Sequence, residues 1–490
     1  MEIIPVIIYA FFISFILFYS MIEFHLVIRY IISHFKKKKF KTYSSTDSSL
    51  PFVTIQLPVY NEMYVAERLL DAIVKLDYPM EKLEIQLLDD SEDETSAILE
   101  KKIADLSQQG FQFVHIRRKE RVGYKAGALA HGLQTCKGEY VAIFDADFLP
   151  PADFLLKTLP FFENEKTGCV QSRWGHVNKN YSLITRLQAF ALDAHFTVEQ
   201  TGRYTSNSFL NFNGTAGIWR KTCIVDSGNW QADTLTEDLD LSYRAQLKNW
   251  KIHYIEELEC KAELPAEMNA LKLQQFRWSK GAAECTRKNL SNVLASKQSI
   301  NKKLHAFFHL LNSFLYICIL CMGLLSLPVI YIMREYGDYS SFYSLFVIFY
   351  AGIGFITLQY FTSEISVAKN KLAGILEFLA LFPVFLSISM GLSLFNGIGV
   401  IEGYIGKKSP FIRTPKFNIV NRNESWHGNR YITQHIAPVT WFEGLLFLFF
   451  GFCTWKVIEW ESYLSLPFFA MLSFGFGFVF ISSVYHIFKK

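Results

Sequence analysis

Three pairs of acidic residues are the side chains in this sequence best suited to chemistry. Asp89 and Asp90 close LEIQLLDD, Asp145 and Asp147 end YVAIFDAD, and Glu237 and Asp238 open EDLDLSYRAQLKNW. A fourth segment, Gln274-Gln275-Phe276-Arg277-Trp278, is basic and aromatic. Two carboxylates at a strand end can hold Mg2+ or Mn2+ against a diphosphate, because hard cations prefer oxygen ligands. Asp89 or Asp90 can accept hydrogen bonds from a nucleobase or ribose, while Ser91 or Asp93 caps the following helix. Lys125, set between Gly123 and Gly127 in RVGYKAGAL, can neutralise phosphate, although this is no Walker-type loop.

The remaining candidates admit two readings each. Asp238 can act as a general base toward a hydroxyl. Equally, Glu237 and Asp238 suit the first turn of a helix capped by Thr236, where the dipole favours acids. Arg277 can fork onto diphosphate oxygens and Trp278 can stack on a sugar ring. The same segment also fits an interfacial helix with a snorkelling arginine and a belt tryptophan. Asn213-Gly214-Thr215 follows aromatic residues and forms a small-residue turn that an acceptor sugar can approach.

These residues need rigid elements behind them. Apolar runs at 52–60, 83–90, 112–117 and 140–147 are predicted strands, and helix-patterned stretches separate them. Alternation of this kind predicts a mostly parallel α/β sheet, with ligands beyond the carboxyl ends of its strands. The acidic pairs at 89–90 and 145–147 fall at such ends.

The rest of the chain is membrane-like. Hydrophobic residues make up 51% of the 490 and charged ones 19%, with a net charge of +4. That balance excludes an ordinary soluble enzyme and gives no field for nucleic acid. Residues 3–32 are long and apolar enough to span a bilayer, and Lys36 to Lys39 follow, which places the next segment in the cytoplasm. Apolar stretches resume near residue 303. The expected organisation is an N-terminal transmembrane helix at 1–35 and a cytoplasmic catalytic domain at 51–265. Interfacial helices follow at 266–302 and transmembrane helices at 303–405. A cytoplasmic loop at 406–435 then precedes a final transmembrane pair at 436–490. Lys489 and Lys490 place the C-terminus in the cytoplasm. Parity of sidedness predicts that 373–405 is broken near Gly391, Asn396 and Gly397, giving about six or seven spans. Eight scattered cysteines include Cys318 and Cys321, read as packing residues on a membrane helix.

The ordered set DD, DxD, TED and QxxRW resembles the inverting family 2 glycosyltransferases of the cellulose, chitin and hyaluronan synthase group. The stretches VTIQLPVYNE, IQLLDDSEDET, GYKAGAL, YVAIFDADFLPPADFL, VQSRWGHVN, HFTVEQ, FNGTAGIWR, TEDLDLSYRAQLKNWK and LQQFRWSKGAAE are most similar to the cellulose-synthase-like A and C types. The resemblance covers roughly residues 52–290. It implies a GT-A nucleotide-diphospho-sugar transferase domain between transmembrane helices, and a metal-dependent hexosyltransferase. It further implies processive, β-linked (1,4) synthesis from UDP-glucose or GDP-mannose, with the polymer translocated across a bacterial inner membrane or a Golgi membrane.

By that resemblance Asp89, Asp90, Lys125, Asp145, Asp147, Gln274 and Arg277 bind the donor, and Asp145 and Asp147 hold Mg2+ or Mn2+. Asp238, with Glu237, is the catalytic pair, and Trp278, Asn213, Gly214 and Thr215 line the acceptor site. FIRTPK at 411–416 resembles the FxVTxK gating loop, giving Phe411, Thr414 and Lys416, with departures at Arg413 and Pro415. The expected partners are a nucleotide sugar, a growing polysaccharide and the bilayer. An alternative expectation is a non-processive transferase acting on a membrane lipid.

Overall fold

A computed structural model describes residues 3–35, 41–336, 339–421, 423–432 and 436–488. Lys36 to Lys39, Lys489 and Lys490, on which the sidedness expectations rest, lie outside the described residues, as do residues 433–435 of the predicted loop.

Seven strands form one sheet: β1 (Val53–Val59), β2 (Leu83–Asp89), β3 (Phe113–Arg117), β4 (Tyr140–Ile143), β5 (Thr167–His176), β6 (Gly217–Arg220) and β7 (Lys251–Ala262). Their spatial order is β3-β2-β1-β4-β6-β5-β7. The predicted strands are all present, and the sheet is mostly parallel as expected, with β6 alone of the seven strands reversed. β3, β2, β1 and β4 run parallel, β6 is antiparallel to both β4 and β5, and β5 is parallel to β7. The sheet is therefore mixed, and its direction changes between β4 and β6.

β1 is buried on both faces, as a central strand must be. Val53, Ile55 and Leu57 pack into one layer of the core. Thr54 and Gln56 face the other way and donate to β2. Thr54 donates to Glu84 at 2.6 Å and Gln56 to Gln86 at 3.0 Å. Register aligns Val59 with Asp89 and Gln56 with Ile143, so β1, β2 and β4 all release their chains at the same end.

A 28-residue helix, Met268–Ala295, leads from the sheet to the membrane helices. Glu267 caps it, accepting from the amides of Asn269 at 2.8 Å and Ala270 at 2.6 Å. Within it, Lys272 bonds Glu443 at 2.7 Å, and both side chains are buried.

Among the described residues five helices are long and apolar enough to cross a membrane. They are Ile4–His34, Phe314–Glu335, Lys371–Gly391, Pro438–Glu459 and Tyr463–Phe488. Tyr339–Val367 is a further helix, of 29 residues. The helix Lys371–Gly391 ends at a break at Leu392, and the 13-residue helix Ser393–Ile405 follows it. Cys318 is buried on the helix Phe314–Tyr336, and neither it nor Cys321 forms a disulfide.

Candidate active site

The carboxyl ends of β1, β2 and β4 open into a cavity of about 210 Å³. Asp90, Lys125, Asp145, Asp147, Asn213, Gly214, Glu237, Asp238, Gln274, Arg277 and Trp278 all line it. So do Phe411, Thr414 and Lys416 from the far side of the sequence.

Asp145 and Asp147 follow the last residue of β4 by two and four positions. The amide of Asp145 donates to Thr215 Oγ1 at 2.8 Å, which ties the DxD turn to the Asn213-Gly214-Thr215 turn. Thr215 does this from behind and does not line the cavity. Each DxD carboxylate carries one ammonium: Lys125 Nζ lies 2.6 Å from Asp145 Oδ1, and Lys416 Nζ 2.7 Å from Asp147 Oδ2. Burial raises the Asp145 pKa, Lys125 opposes that rise, and Asp147 adds to it. No cluster of three or more acidic, histidine or cysteine side chains suited to a metal exists among the described residues. The donor set nonetheless fits a divalent cation shared with a diphosphate. Two hard carboxylates supply some ligands and leave the others to phosphate oxygens. The two ammonium groups mark where this site favours positive charge.

Asp238 lies in the first turn of the helix Glu237–Leu247. Thr236 occupies the cap position without capping, since its hydroxyl makes no cap hydrogen bond and lies 3.3 Å from Cys285 Sγ. Gly214 has a φ of +81°, and a methyl group placed on it would lie 3.0 Å from Asp238 Oδ2 and 3.4 Å from Lys125 Nζ. The turn thus presses against both groups. Burial pushes the Asp238 pKa up to about 7, Glu237 adds to the rise, and Lys125 opposes it. A carboxyl tuned near neutrality is suited to general base work.

The adjacent acids of β2 part company. Asp89 is buried and turned away from the cavity. It accepts from the amide of Ser91 at 2.9 Å and from Ser96 Oγ at 2.7 Å, and its Oδ2 lies 3.1 Å from His115 Nε2. Burial alone would raise its pKa, but these hydrogen bonds hold it at about 2. Asp90 faces the cavity, with both its oxygens on Arg118. Gln274 and Gln275 part similarly: Gln274 lines the cavity, while Gln275 Oε1 accepts from Tyr316 on a membrane helix at 3.3 Å.

The segment 407–432 crosses the cavity as a strap. Arg277 donates to Thr414 Oγ1 at 2.9 Å, and its guanidinium lies 4.5 Å from the centre of the Phe411 ring. Phe411 stacks on Tyr124 at 5.8 Å. Arg413, the departure from the gating-loop pattern, lies 2.9 Å from Glu62 and 3.9 Å from the Tyr431 ring. Burial pushes the Glu62 pKa up to about 8, with Arg413 opposing and Asp147 adding. Farther along, Phe417, Ile419 and Trp426 pack with Ala266, and Arg430 holds Glu94 at 2.6 Å.

Several lining residues escape motif reasoning. Arg121 lies 3.3 Å over the Tyr60 ring, near Asp90. Trp174 and His176, at the end of β5, also line the cavity, and burial lowers the His176 pKa to about 4. Arg121 belongs to RVGYKAGAL, and a basic residue four positions before Lys125 was its only signal.

Comparison with known proteins agrees with this geometry. Residues 51–281 match the family model described as Glycosyltransferase like family 2. The chain is 41% identical over 297 residues to Glucomannan 4-beta-mannosyltransferase 7 of Arabidopsis thaliana, covering 59% of this chain and 53% of that protein. It is 36% identical over 334 residues to Glucomannan 4-beta-mannosyltransferase 1 of Cyamopsis tetragonoloba, covering 63% of each. The chain thus spans about half the length of the first of these relatives. A solved mannosyltransferase from Pyrobaculum calidifontis, in complex with GDP-Man and Mn2+, shares the fold. It matches at a TM-score of 0.50 and 15% identity, covering 83% of this chain and 99% of that one. The family likeness carried by the motifs is borne out. Residues 51–281 thus match the family 2 glycosyltransferase model and take the GT-A fold, beside helices of membrane-spanning length.

Proposed function

We propose that this chain is an inverting hexosyltransferase that extends a β-1,4-linked glycan from a nucleotide sugar and passes the product into its membrane helices. The observation that carries this reading is the convergence of Asp238, the Gly214 turn, Lys125 and Asp145 on one cavity. An acceptor hydroxyl beside Gly214 gives its proton to Asp238, and its oxygen attacks the anomeric carbon. The bond from that carbon to the diphosphate oxygen breaks on the opposite face, and its electron pair leaves with the nucleoside diphosphate. Lys125, Lys416 and Arg277 are placed to stabilise the charge on that leaving group. Asp145 and Asp147 would hold Mg2+ or Mn2+, which supplies further charge neutralisation when bound. Arg121, Tyr60 and Asp90 lie where the nucleoside would sit, and Trp278 where the acceptor sugar would stack.

With the strap across it, the cavity of about 210 Å³ is too small for a nucleotide sugar, since ligand pockets commonly run to at least ~300 Å³. The donor therefore enters by displacing the strap, which then closes on the diphosphate through Lys416. The names of the relatives favour a mannosyl donor. The basic stretch Lys36 to Lys39 favours a catalytic domain on the cytoplasmic side.

The test incubates detergent-purified protein and Mn2+ with GDP-mannose, GDP-glucose or UDP-glucose. Nucleoside diphosphate release is followed, and any product is digested with linkage-specific β-1,4-glycanases. One donor should give a digestible polymer that Asp238→Asn abolishes. Release without polymer would refute processive synthesis, and no release with any donor would refute the reading as a whole.

A further inference from the structure

A line of buried polar groups runs from the helices Ile3–His34 and Tyr339–Val367 to the acceptor side of the cavity. Glu23, on the helix Ile3–His34, accepts from Gln359 Nε2 at 3.0 Å and from Arg203 Nη2 at 3.2 Å. Arg203 also donates to Glu199 Oε1, through Nε at 3.0 Å and Nη2 at 2.9 Å. The other oxygen of Glu199 lies 2.8 Å from His195 Nδ1. His195 Nε2 in turn lies 3.2 Å from Asn213 Nδ2, and Gln200 Nε2 lies 2.7 Å from Asn213 Oδ1. Residues His195–Glu199 form a single π turn, a local irregularity often found at functional sites.

Proton bookkeeping fixes the direction of each bond. Burial opposes charge on Glu199, but His195 and Arg203 hold its carboxyl well below the ordinary range, so it is an acceptor only. Gln200 Nε2 also lies 3.2 Å from the Asn211 carbonyl oxygen, so it is the donor end of its amide and fixes Asn213 Oδ1 as an acceptor. The Asn213 NH2 then faces His195 Nε2, which accepts, and the Nδ1 proton faces Glu199. Asn213 thus presents its NH2 to His195 and its oxygen to Gln200. Its amide is oriented from both sides, and one N–H and one oxygen lone pair remain for a ligand. Asn213 lines the cavity, and the next residue, Gly214, presses on Asp238. Whatever hydroxyl reaches Asp238 comes from a sugar whose neighbouring polar groups lie beside this amide.

We propose that His195, held by Glu199 and Arg203, is a positioning residue that orients Asn213 to hydrogen-bond a neighbouring hydroxyl of the acceptor glycan. This rests on the glycosyl-transfer reading above. The acceptor subsite is thereby built outward from Glu23 and Gln359, while the next two residues of its turn join the donor side, Gly214 O accepting from Lys125 at 3.0 Å and Thr215 Oγ1 from the Asp145 amide at 2.8 Å.

The test uses the full-length protein in detergent, with β-1,4-linked mannohexaose and cellohexaose as added acceptors. Transfer kinetics are measured with the donor that wild type turns over, and direct binding of each hexasaccharide is measured without donor. His195→Ala should raise the acceptor KM and the hexasaccharide Kd about tenfold, the scale of one lost hydrogen bond, and leave the donor KM within about twofold. Asn213→Ala should do the same, and the double variant should be no worse than Asn213→Ala alone, because His195 acts only through that amide. Unchanged nucleoside diphosphate binding checks that each variant is folded. Where His195→Ala fails that check, Gln200→Met should give the same acceptor-specific loss, since it removes the donor to Asn213 Oδ1, and Asn211, the other residue whose oxygens it bonds, does not line the cavity. Multiplying effects in the double variant, or an equal rise in donor KM, would overturn the inference while leaving transfer intact. Wild type that neither transfers to nor binds any hexasaccharide would overturn the underlying reading with it.

Discussion

Substituting Gly214 by alanine separates backbone strain from active-site geometry. The residue has a φ of +81°, and the added methyl group would sit 3.0 Å from Asp238 Oδ2 and 3.4 Å from Lys125 Nζ. Left-handed backbone costs a non-glycine residue about 1–2 kcal/mol. The contact adds a second effect, because Asp238 Oδ2 must give by a few tenths of an ångström, while Lys125 Nζ stays in ordinary contact. If a 1 Å misplacement in an active site costs ~100-fold, a shift of about 0.3 Å costs ~4-fold, or ~0.8 kcal/mol on the barrier. Gly110 supplies the control. Its φ is +96°, and its methyl group would meet nothing within 4 Å. Gly110→Ala should therefore lose about the same stability and keep full activity. Gly214→Ala should lose that stability and about fourfold in kcat. Thermal unfolding in detergent and nucleoside diphosphate release read the two quantities separately. Wild-type kcat in Gly214→Ala would refute the reasoning, because the close approach to Asp238 would then have no chemical consequence.

Other expectations follow from the same geometry. Activity should fall about tenfold per pH unit below about 7, because the base works ionised and burial holds Asp238 near that value. Glu237→Gln removes the neighbouring carboxylate that helps raise it, so the midpoint of the pH–rate profile should move to lower pH. Lys416→Met should tighten Mn2+ binding several-fold in the absence of nucleotide, since an ammonium no longer competes for Asp147; electron paramagnetic resonance of free Mn2+ reads this directly. Lys272→Met should destabilise the protein by about 3–5 kcal/mol by leaving Glu443 buried and unpaired, and adding Glu443→Leu should restore most of the loss in a melting assay.

Much of the site was legible before any coordinates. The strand ends carrying Asp90 and Asp145 stand out because apolar runs stop there, and the acidic and aromatic segments recur in an order that few folds use. What stayed hidden depends on register and distance. Adjacent residues at a strand end point to opposite sides, so Asp89 and Asp90 are equivalent in sequence until pairing with β1 and β3 decides which one is buried. The antiparallel β6 has only four residues, too few for an alternation to declare its direction. Arg413 breaks the gating-loop pattern, and its compensation lies in Glu62, near the other end of the chain. The chain joining His195 to Glu23 couples an interfacial turn to a helix that composition alone marks as lipid-facing.

The strap also bears on how the protein is made. Residues 51–281 contain the sheet, the DxD turn and Asp238, yet Lys416 leaves the ribosome about 135 residues after Gly281. At 5–20 residues per second that interval is roughly 7–27 s. During it a nascent chain already holds its acidic pairs but lacks the wall that Phe411, Thr414 and Lys416 supply. That wall arrives only after the helices Phe314–Tyr336, Tyr339–Val367 and Lys371–Gly391 have been translated. Completion of the cavity is thus tied to synthesis of the membrane domain, and a truncated or stalled chain lacks the wall that Phe411, Thr414 and Lys416 supply.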